Sequence, residues 1–106
     1  MNNKTKKIIA EFLKSVFGSE FDISNPYYKA LWDTLPFIID TSLTKKQKET
    51  VKLRMDGLTM DAIAQRCGVT QPTIFRRYET AMKTLKHDVK IAKNAIDNYK
   101  ETESGE

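Results

Sequence analysis

A tight corner between two helical patterns constrains this chain more than any other feature. The segment DAIAQRCGVTQPTIFRRY, residues 61–78, joins the two patterns through Cys67-Gly68-Val69. Glycine adopts left-handed backbone angles without steric cost, so Gly68 is suited to ending the first helix and turning the chain. A corner this short predicts two helices that cross steeply. Adjacent arginines, Arg76 and Arg77, make the outer face of the second helix basic.

Capping signals place three helices in the middle of the chain. Thr44 followed by Gln47 forms a T-x-x-Q capping box, which predicts a helix running to about Met55. Thr59 and Thr70 are suited to capping the next two helices. Gly57 and Gly68 fit the residue after a helix end, and Pro72 is tolerated in a first turn. Two apolar pairs are spaced to pack across the helix starts as staples: Leu58 with Ile63, and Val69 with Ile74.

Two further helices are predicted before this unit. Apolar residues at helical spacing favour a helix over 5–17 that ends at Gly18. Asn25-Pro26 is a cap followed by a first helical residue, and that helix is expected to end at Pro36, with a short turn over 36–39. The aromatic residues here, Trp32 among them, are interpreted as core, with base stacking as the alternative.

The third central helix is predicted to continue as a long C-terminal helix. Its apolar residues alternate in steps of three and four: Phe75, Tyr78, Met82, Leu85, Val89, Ala92, Ile96 and Tyr99. This spacing forms a seam that must be buried. Either the seam folds onto residues 5–39 of the same chain, or it forms a dimer interface.

Charge is concentrated in one block. Residues 44–93 hold twelve Lys and Arg against five acids, a balance of +7, whereas residues 94–106 sum to −3. A basic block indicates a polyanionic partner, with a solvated lysine face as the alternative, and Lys45, Lys46 and Lys48 remain open between the two. A chain of 106 residues is expected to form one domain.

Composition argues against catalysis and against a membrane span. The sequence contains no phosphate-binding glycine loop, no Ser-His-Asp or Cys-His set and no apolar run of about 20 residues, so neither an enzyme nor a membrane protein is expected. His87 has no evident metal partners, and no cofactor or metal is expected. The single cysteine, Cys67, suits the reducing cytoplasm and is interpreted as core, with redox sensing as the alternative.

The outer face of the second helix of the corner has the chemistry needed to read DNA. Arginine can bridge guanine O6 and N7, and glutamine suits adenine N6 and N7, so Arg76 and Gln71 are candidates for base contacts. Thr73, Arg77 and Thr80 add further donors. Phe75 is either a contact to thymine methyl groups or the start of the apolar seam, and the seam is preferred.

The segment LTKKQKETVKLRMDGLTMDAIAQRCGVTQPTIFRRYETAMKTLK resembles the C-terminal DNA-binding region of bacterial sigma factors, region four, which reads the promoter −35 element. LuxR-type domains and small phage regulators share much of the pattern. The matching residues are Leu43, Gln47, Leu53, Arg54, Gly57, Leu58, Thr59, Ile63, Ala64, Gly68, Val69, Thr70, Ile74, Ala81, Leu85 and Lys86. Residues 1–42 do not resemble the other sigma regions, so a complete sigma factor is not expected.

The resemblance implies an all-α, helix-turn-helix fold and a DNA-binding function. It places Gln71, Pro72, Phe75 and Arg76 at positions that face bases or nearby phosphates. Thr73, Arg77, Thr80 and Lys83 are added from the residues themselves, mainly as phosphate contacts. Because Pro72, Phe75 and Arg77 depart from the family pattern, the base preference cannot be carried over.

The resulting hypothesis is a cytoplasmic, sequence-specific regulator of transcription, from a bacterium or a phage, that reads the major groove of double-stranded DNA with residues 70–83. The expected organisation is a helical scaffold or dimerisation segment at 1–42, the helix-turn-helix at 43–86, a helical extension at 87–101 and a disordered tail at 102–106. A homodimer is the common solution for such small modules. Two alternatives are a DNA-packaging subunit of the small terminase type or a replication accessory, and an adaptor that binds RNA polymerase or a sigma factor.

Overall fold

The computed structural model describes the backbone of residues 3–104, with the side chains of residues 3–95 and 97. Every regular element of the described chain is a helix, which confirms the predicted all-α fold class. It contains α1 (Asn3–Phe17), a single 3-10 turn (Gly18–Glu20), α2 (Pro26–Ser42), α3 (Lys45–Met55), α4 (Met60–Cys67) and α5 (Gln71–Ser104). None of the described helices combines the length and apolar content that crossing a membrane requires.

The predicted helix starts are confirmed at three places. Asn25 accepts a hydrogen bond from the Tyr27 backbone N–H at 3.0 Å. The capping box of α3 is complete, since Thr44 Oγ1 accepts from the Gln47 N–H at 3.2 Å and the Gln47 side chain accepts from the Thr44 N–H at 3.0 Å. Thr59 caps α4 through the Ala62 N–H. Each bond satisfies a donor that a helix start leaves without a partner inside the helix.

Two glycines make the corners on either side of α4, as predicted. Gly57 and Gly68 have positive φ, at 98° and 69°. After α3, the Leu58 N–H donates to the Leu53 carbonyl at 3.2 Å. After α4, the Val69 N–H donates to the Ala64 carbonyl at 3.1 Å. These are Schellman bonds, so both corners are fixed by the backbone itself.

The prediction that the second helix ends at Pro36 was wrong. Helix α2 continues through Pro36 to Ser42. Proline removes one hydrogen bond of the helix interior, but burial on the far side of it offsets that loss. Leu35, Ile38 and Ile39 are all nearly fully buried, so the apolar stripe of α2 holds the helix together across the proline.

The main core forms between α5 and the three helices α1, α2 and α3. The apolar seam folds onto its own chain, which was one of the two predicted arrangements, and Leu85 and Val89 are almost inaccessible. The other members of this core are Ile9, Phe12, Leu13, Leu35, Ile38, Ile39, Leu43, Val51 and Ala81, with Tyr78, Met82 and Trp32 packed at its edge. The aromatic residue Tyr28 is also buried, in agreement with its interpretation as core.

The seam does not begin at Phe75, which corrects the preferred interpretation of that residue. Phe75 is 55% exposed, whereas Ile74 and Ala81 are fully buried. The crossing with α4 fixes the rotation of α5, and this rotation turns Ile74 inward. One position further on, Phe75 points about 100° away from Ile74 around the helix, and its side chain is left more than half exposed.

Helix α5 also extends further than predicted. It includes residues 102–104, where a disordered tail was expected, while residues 105–106 lie outside the described part. Lysine and glutamate are good helix formers, and neither glycine nor proline occurs between Pro72 and Gly105. The seam positions Ile96 and Tyr99 lie outside the residues whose side chains are described.

Polar contacts fasten the scaffold at both ends. Near the start of α1, Thr5 Oγ1 donates to the carbonyl of Met55, the last residue of α3, at 2.7 Å. At the other end, Tyr27 Oη donates to Asp97 Oδ1 at 3.0 Å, and Lys93 Nζ donates to Asp97 Oδ2 at 3.1 Å. The scaffold therefore holds α5 in a fixed orientation relative to α3.

Candidate nucleic-acid interface

A small second core sets the crossing of α4 and α5. It consists of Ile63, Ala64 and Ile74, each nearly inaccessible, and Leu58 and Val69 pack against it as the predicted staples require. Ala64 lets the two helices approach closely because its side chain is a single methyl group. With the angle fixed by this core and by the Gly68 corner, the first turns of α5 present a defined face to solvent.

The first turns of α5 bring four of the predicted contact residues together. These four residues line a shallow depression of about 490 Å³, and they are Gln71, Pro72, Phe75 and Arg76. We call these four residues the reading surface. All four are exposed, so this face of α5 is not packed inside the molecule.

A second depression lies between α5 and the start of α3. The α3–α5 cleft, of about 400 Å³, is lined by Thr44, Lys46, Gln47, Thr73, Arg76, Arg77 and Thr80. Three of these side chains are cationic, and the first turn of α3 contributes the positive end of a helix dipole. The cleft is therefore electropositive and adjoins the reading surface through Arg76, which lines both.

Two predicted contact residues are engaged within the protein. The Thr73 hydroxyl lies 2.9 Å from that of Thr70, so its hydrogen-bonding capacity is partly used at the start of α5. Lys83 is exposed and lies outside both depressions, with Nζ 3.8 Å from a carboxylate oxygen of Glu79. Thr73 is therefore less available for an incoming anion than Arg76, whereas the exposed pair of Lys83 with Glu79 is weak and leaves Lys83 accessible.

The interpretation of Cys67 as a core residue is confirmed only in part. Its side chain is half-buried at the edge of the small core, and Sγ donates a hydrogen bond to Glu49 Oε1 at 2.8 Å. This bond to a carboxylate raises the pKa of the thiol, with desolvation adding to the effect. The site is polar on one side because α3 brings Glu49 against the corner, a tertiary contact that local sequence does not reveal.

The sequence predicts only part of the contribution of α3 to this surface. Lys46 fits either a solvated lysine or a phosphate contact, and the pattern of Thr44 and Gln47 predicts only a helix cap. The capping box shows where α3 begins but not that its first turn faces Thr80 and Arg77. That proximity follows from packing of the two helices, through Val51 and Ala81, in the main core.

One comparison with known proteins finds a similarity in this part of the chain. Residues 55–80 match the family model described as bacterial regulatory proteins, tetR family. The match spans the end of α3, all of α4 and the first turns of α5, which is the corner and the reading surface. No curated protein and no solved structure matches the chain.

The geometry and this match agree on the class of the protein. Two helices cross at a glycine corner, the second presents an exposed polar and cationic face, and the matching model belongs to regulators of transcription. The chain is a DNA-binding protein of the helix-turn-helix class, and transcriptional regulation is the function that this class supports.

Proposed function

We propose that the protein regulates transcription by binding specific sequences in double-stranded DNA, with the first three turns of α5 in the major groove. The observation that carries this proposal is the exposed reading surface at the start of a helix whose other side is locked by Ile74 and Ala64. A major groove about 12 Å wide admits a single α-helix.

Within the reading surface, we assign base contacts to two side chains. Arg76 is exposed and can donate two parallel hydrogen bonds to guanine O6 and N7. Gln71, in the first turn of α5, can pair in a similar way with adenine N6 and N7. Pro72 lies beside Gln71 and lacks a backbone N–H, so we assign it a role in shape rather than in hydrogen bonding.

We assign the α3–α5 cleft to the sugar–phosphate backbone. Lys46 and Arg77 approach it from two helices, and a phosphate placed there would also meet the first turn of α3. Such contacts fix the position of a protein on the duplex but carry no sequence information. Thr80 and Thr73 supplement them, and Lys83 is assigned to a more distant phosphate.

The finer classification is also part of the proposal. The resemblance of residues 43–86 to sigma region four supports a stand-alone regulator that carries this type of helix-turn-helix, with 1–42 and 87–101 as its scaffold and extension. A single module contacts few base pairs, so we propose a homodimer on two spaced half-sites. Contact with RNA polymerase is not needed for this function.

The decisive experiment is selection of bound sequences from a random duplex pool, followed by measurement of the mass of the complex. We expect one enriched motif, repeated as an inverted pair and bound by two chains. Failure to enrich any motif, with equal binding to all duplexes, would contradict sequence-specific regulation. A ring of eight or more chains on DNA would instead favour a packaging subunit.

The first mutational prediction concerns Arg76. On the selected site, Arg76→Ala is expected to cost about 1–3 kcal/mol of binding free energy and to relax the preference at one base pair, because a bidentate contact to guanine is lost. The affinity is measured by fluorescence anisotropy with labelled duplexes. Lys90→Ala removes the same charge from an exposed position further along α5 and serves as the matched control.

The control separates base reading from bulk electrostatics. Lys90 lies more than three turns beyond Arg76, outside the residues that line the two depressions. If both variants lose affinity equally and on every sequence, Arg76 contributes only charge, and it must be removed from the base-reading set.

A further inference from the structure

Phe75 stands out on the reading surface because it is large, apolar and exposed. Its side chain is 55% exposed, although its immediate neighbour Ile74 is fully buried. Exposure of a single apolar residue is common on protein surfaces. The position of Phe75 is what distinguishes it, since its neighbours in the depression, Gln71 and Arg76, have side chains suited to base edges.

The surroundings of Phe75 define an apolar strip inside a polar surface. Pro72 lies three residues before Phe75, on the same side of the helix, and both line the depression. Gln71 lies four residues before Phe75, also on that side. A base pair that contacts Phe75 in the groove therefore faces the phenyl ring of Phe75 and the pyrrolidine ring of Pro72. The hydrogen-bonding side chains, Gln71 and Arg76, lie beside these two rings.

The major groove offers few apolar partners for such a strip. The base edges there carry acceptors on guanine, adenine and thymine and donors on adenine and cytosine. The C5-methyl group of thymine is the apolar exception. Placing an aromatic ring against the polar edges would remove them from water without compensation, whereas placing it against a methyl group buries apolar surface on both sides.

We propose that Phe75 is a specificity-determining residue that recognises the C5-methyl group of thymine, supported by Pro72. This inference rests on the proposed function, since it requires the first turns of α5 to enter the major groove. It adds a rule for the target: the cognate site contains at least one thymine whose methyl group faces Phe75, next to the base pairs contacted by Gln71 and Arg76.

Replacing thymine with uracil tests this rule directly. Uracil lacks the methyl group and keeps the hydrogen-bonding edges of thymine, so the substitution removes only the proposed contact. Each thymine of the selected duplex is replaced in turn, and dissociation constants are measured for the wild-type protein, Phe75→Ala and Phe37→Ala. Phe37 is a matched control because it is 68% exposed on α2, outside the reading surface.

For the wild-type protein we expect the affinity to fall about four-fold at one or more uracil positions, the effect of one methyl group leaving an apolar contact. Phe37→Ala is expected to show the same loss. Phe75→Ala is expected to bind thymine and uracil duplexes alike at those positions, which closes a double-mutant cycle between the ring and the methyl group. Circular dichroism checks that both variants keep their helices.

Two results would overturn the inference while leaving the proposed function in place. One is a wild-type protein that binds its selected site equally well at every uracil position. The other is Phe75→Ala retaining the full sensitivity to uracil, because the methyl group would then be read by another residue. A protein that selects no duplex at all would overturn the proposed function, and this inference with it.

Discussion

The pair formed by Cys67 and Glu49 controls the chemistry of the thiol in this protein. The Sγ–Oε1 distance is 2.8 Å, and the hydrogen bond exists only while the sulfur keeps its proton. The neighbouring carboxylate opposes formation of a thiolate, so the pKa of Cys67 lies above its ordinary value, although Arg77 and Arg66 act weakly in the other direction. Thiolate is the reactive form, so the geometry disfavours oxidation.

The second prediction follows from this pKa. At pH 8, Glu49→Gln is expected to make Cys67 react several-fold faster with iodoacetamide, because removing the negative charge lowers the pKa of the thiol and increases the thiolate fraction. The rate is measured against pH by mass spectrometry. Glu79→Gln removes an acid that pairs with Lys83 instead and should leave the rate unchanged. A slower reaction in Glu49→Gln would show that the carboxylate activates the sulfur.

The same contact also determines how the stability of the folded protein changes with pH. A folded-state pKa raised above the unfolded value means that the protonated thiol is stabilised by folding. That contribution to stability is fully present below the unfolded pKa of cysteine and is lost as the pH rises through the folded pKa of Cys67. At neutral pH, the bond therefore supports the attachment of α3 to the corner.

Helix α2 contains a proline that its packing tolerates. Pro36 is exposed, and its ring occupies the place of an N–H that would otherwise donate to the Trp32 carbonyl. As the third prediction, Pro36→Ala should raise the free energy of unfolding by about 1–3 kcal/mol. Alanine has a much higher helix propensity than proline, which stabilises the folded state. Part of this gain is offset because proline also restricts the unfolded chain. Urea titration followed by circular dichroism measures the change.

The outcome of Pro36→Ala depends on whether the backbone needs the proline. If the substitution lowers stability, a bend at Pro36 is required to seat Ile38 and Ile39 in the core. Thr34→Ala, at another exposed position of α2, controls for the general effect of alanine on this helix. It removes a hydroxyl that donates only to the Ala30 carbonyl, within the helix.

These elements show which features a sequence reveals. The starts of α3 and α4 and both glycine corners were predictable because each depends on residues within six positions of one another. The course of α2 through Pro36 and the exposure of Phe75 were not, since they depend on how whole helices pack against one another. Likewise, the reading surface could be predicted as one face of a helix, but the part that α3 contributes to the cleft could not.

The contact between α2 and the distal part of α5 gives the fourth prediction. Tyr27→Phe removes the hydroxyl that donates to Asp97 and to the Lys93 carbonyl, at 3.0 and 3.3 Å. Backbone amides near Lys93 are therefore expected to exchange with solvent faster, because α5 is less firmly held there. Hydrogen exchange by NMR measures this, with the amides near Ile74 as an internal reference. Equal acceleration at both places would indicate global destabilisation instead.

Charge is distributed unevenly along the molecule, and this asymmetry orients the protein relative to a DNA duplex. The molecule is elongated, 56 by 25 by 20 Å, and α5 alone spans about 51 Å at 1.5 Å per residue. Its first turns lie in the basic block of 44–93, and its last turns lie in the acidic segment of 94–106. A duplex attracts the first end and repels the second, so approach with the corner facing the DNA is favoured electrostatically.

The fifth prediction concerns how binding responds to salt. Phosphate contacts release counterions, so the logarithm of the binding constant falls linearly with that of the salt concentration, by about 0.9 per phosphate neutralised. If Lys46 and Arg77 each contact a phosphate in the α3–α5 cleft, alanine at either position should make the slope shallower by about 1 and weaken binding to all sequences alike. Lys90→Ala, outside the cleft, should keep the wild-type slope, although it removes the same charge. Slopes are measured from about 50 to 200 mM salt on the selected site and on an unrelated duplex. If the three alanine variants give equal slopes, the cations act through the general electrostatic field of the protein, and the cleft does not hold a phosphate.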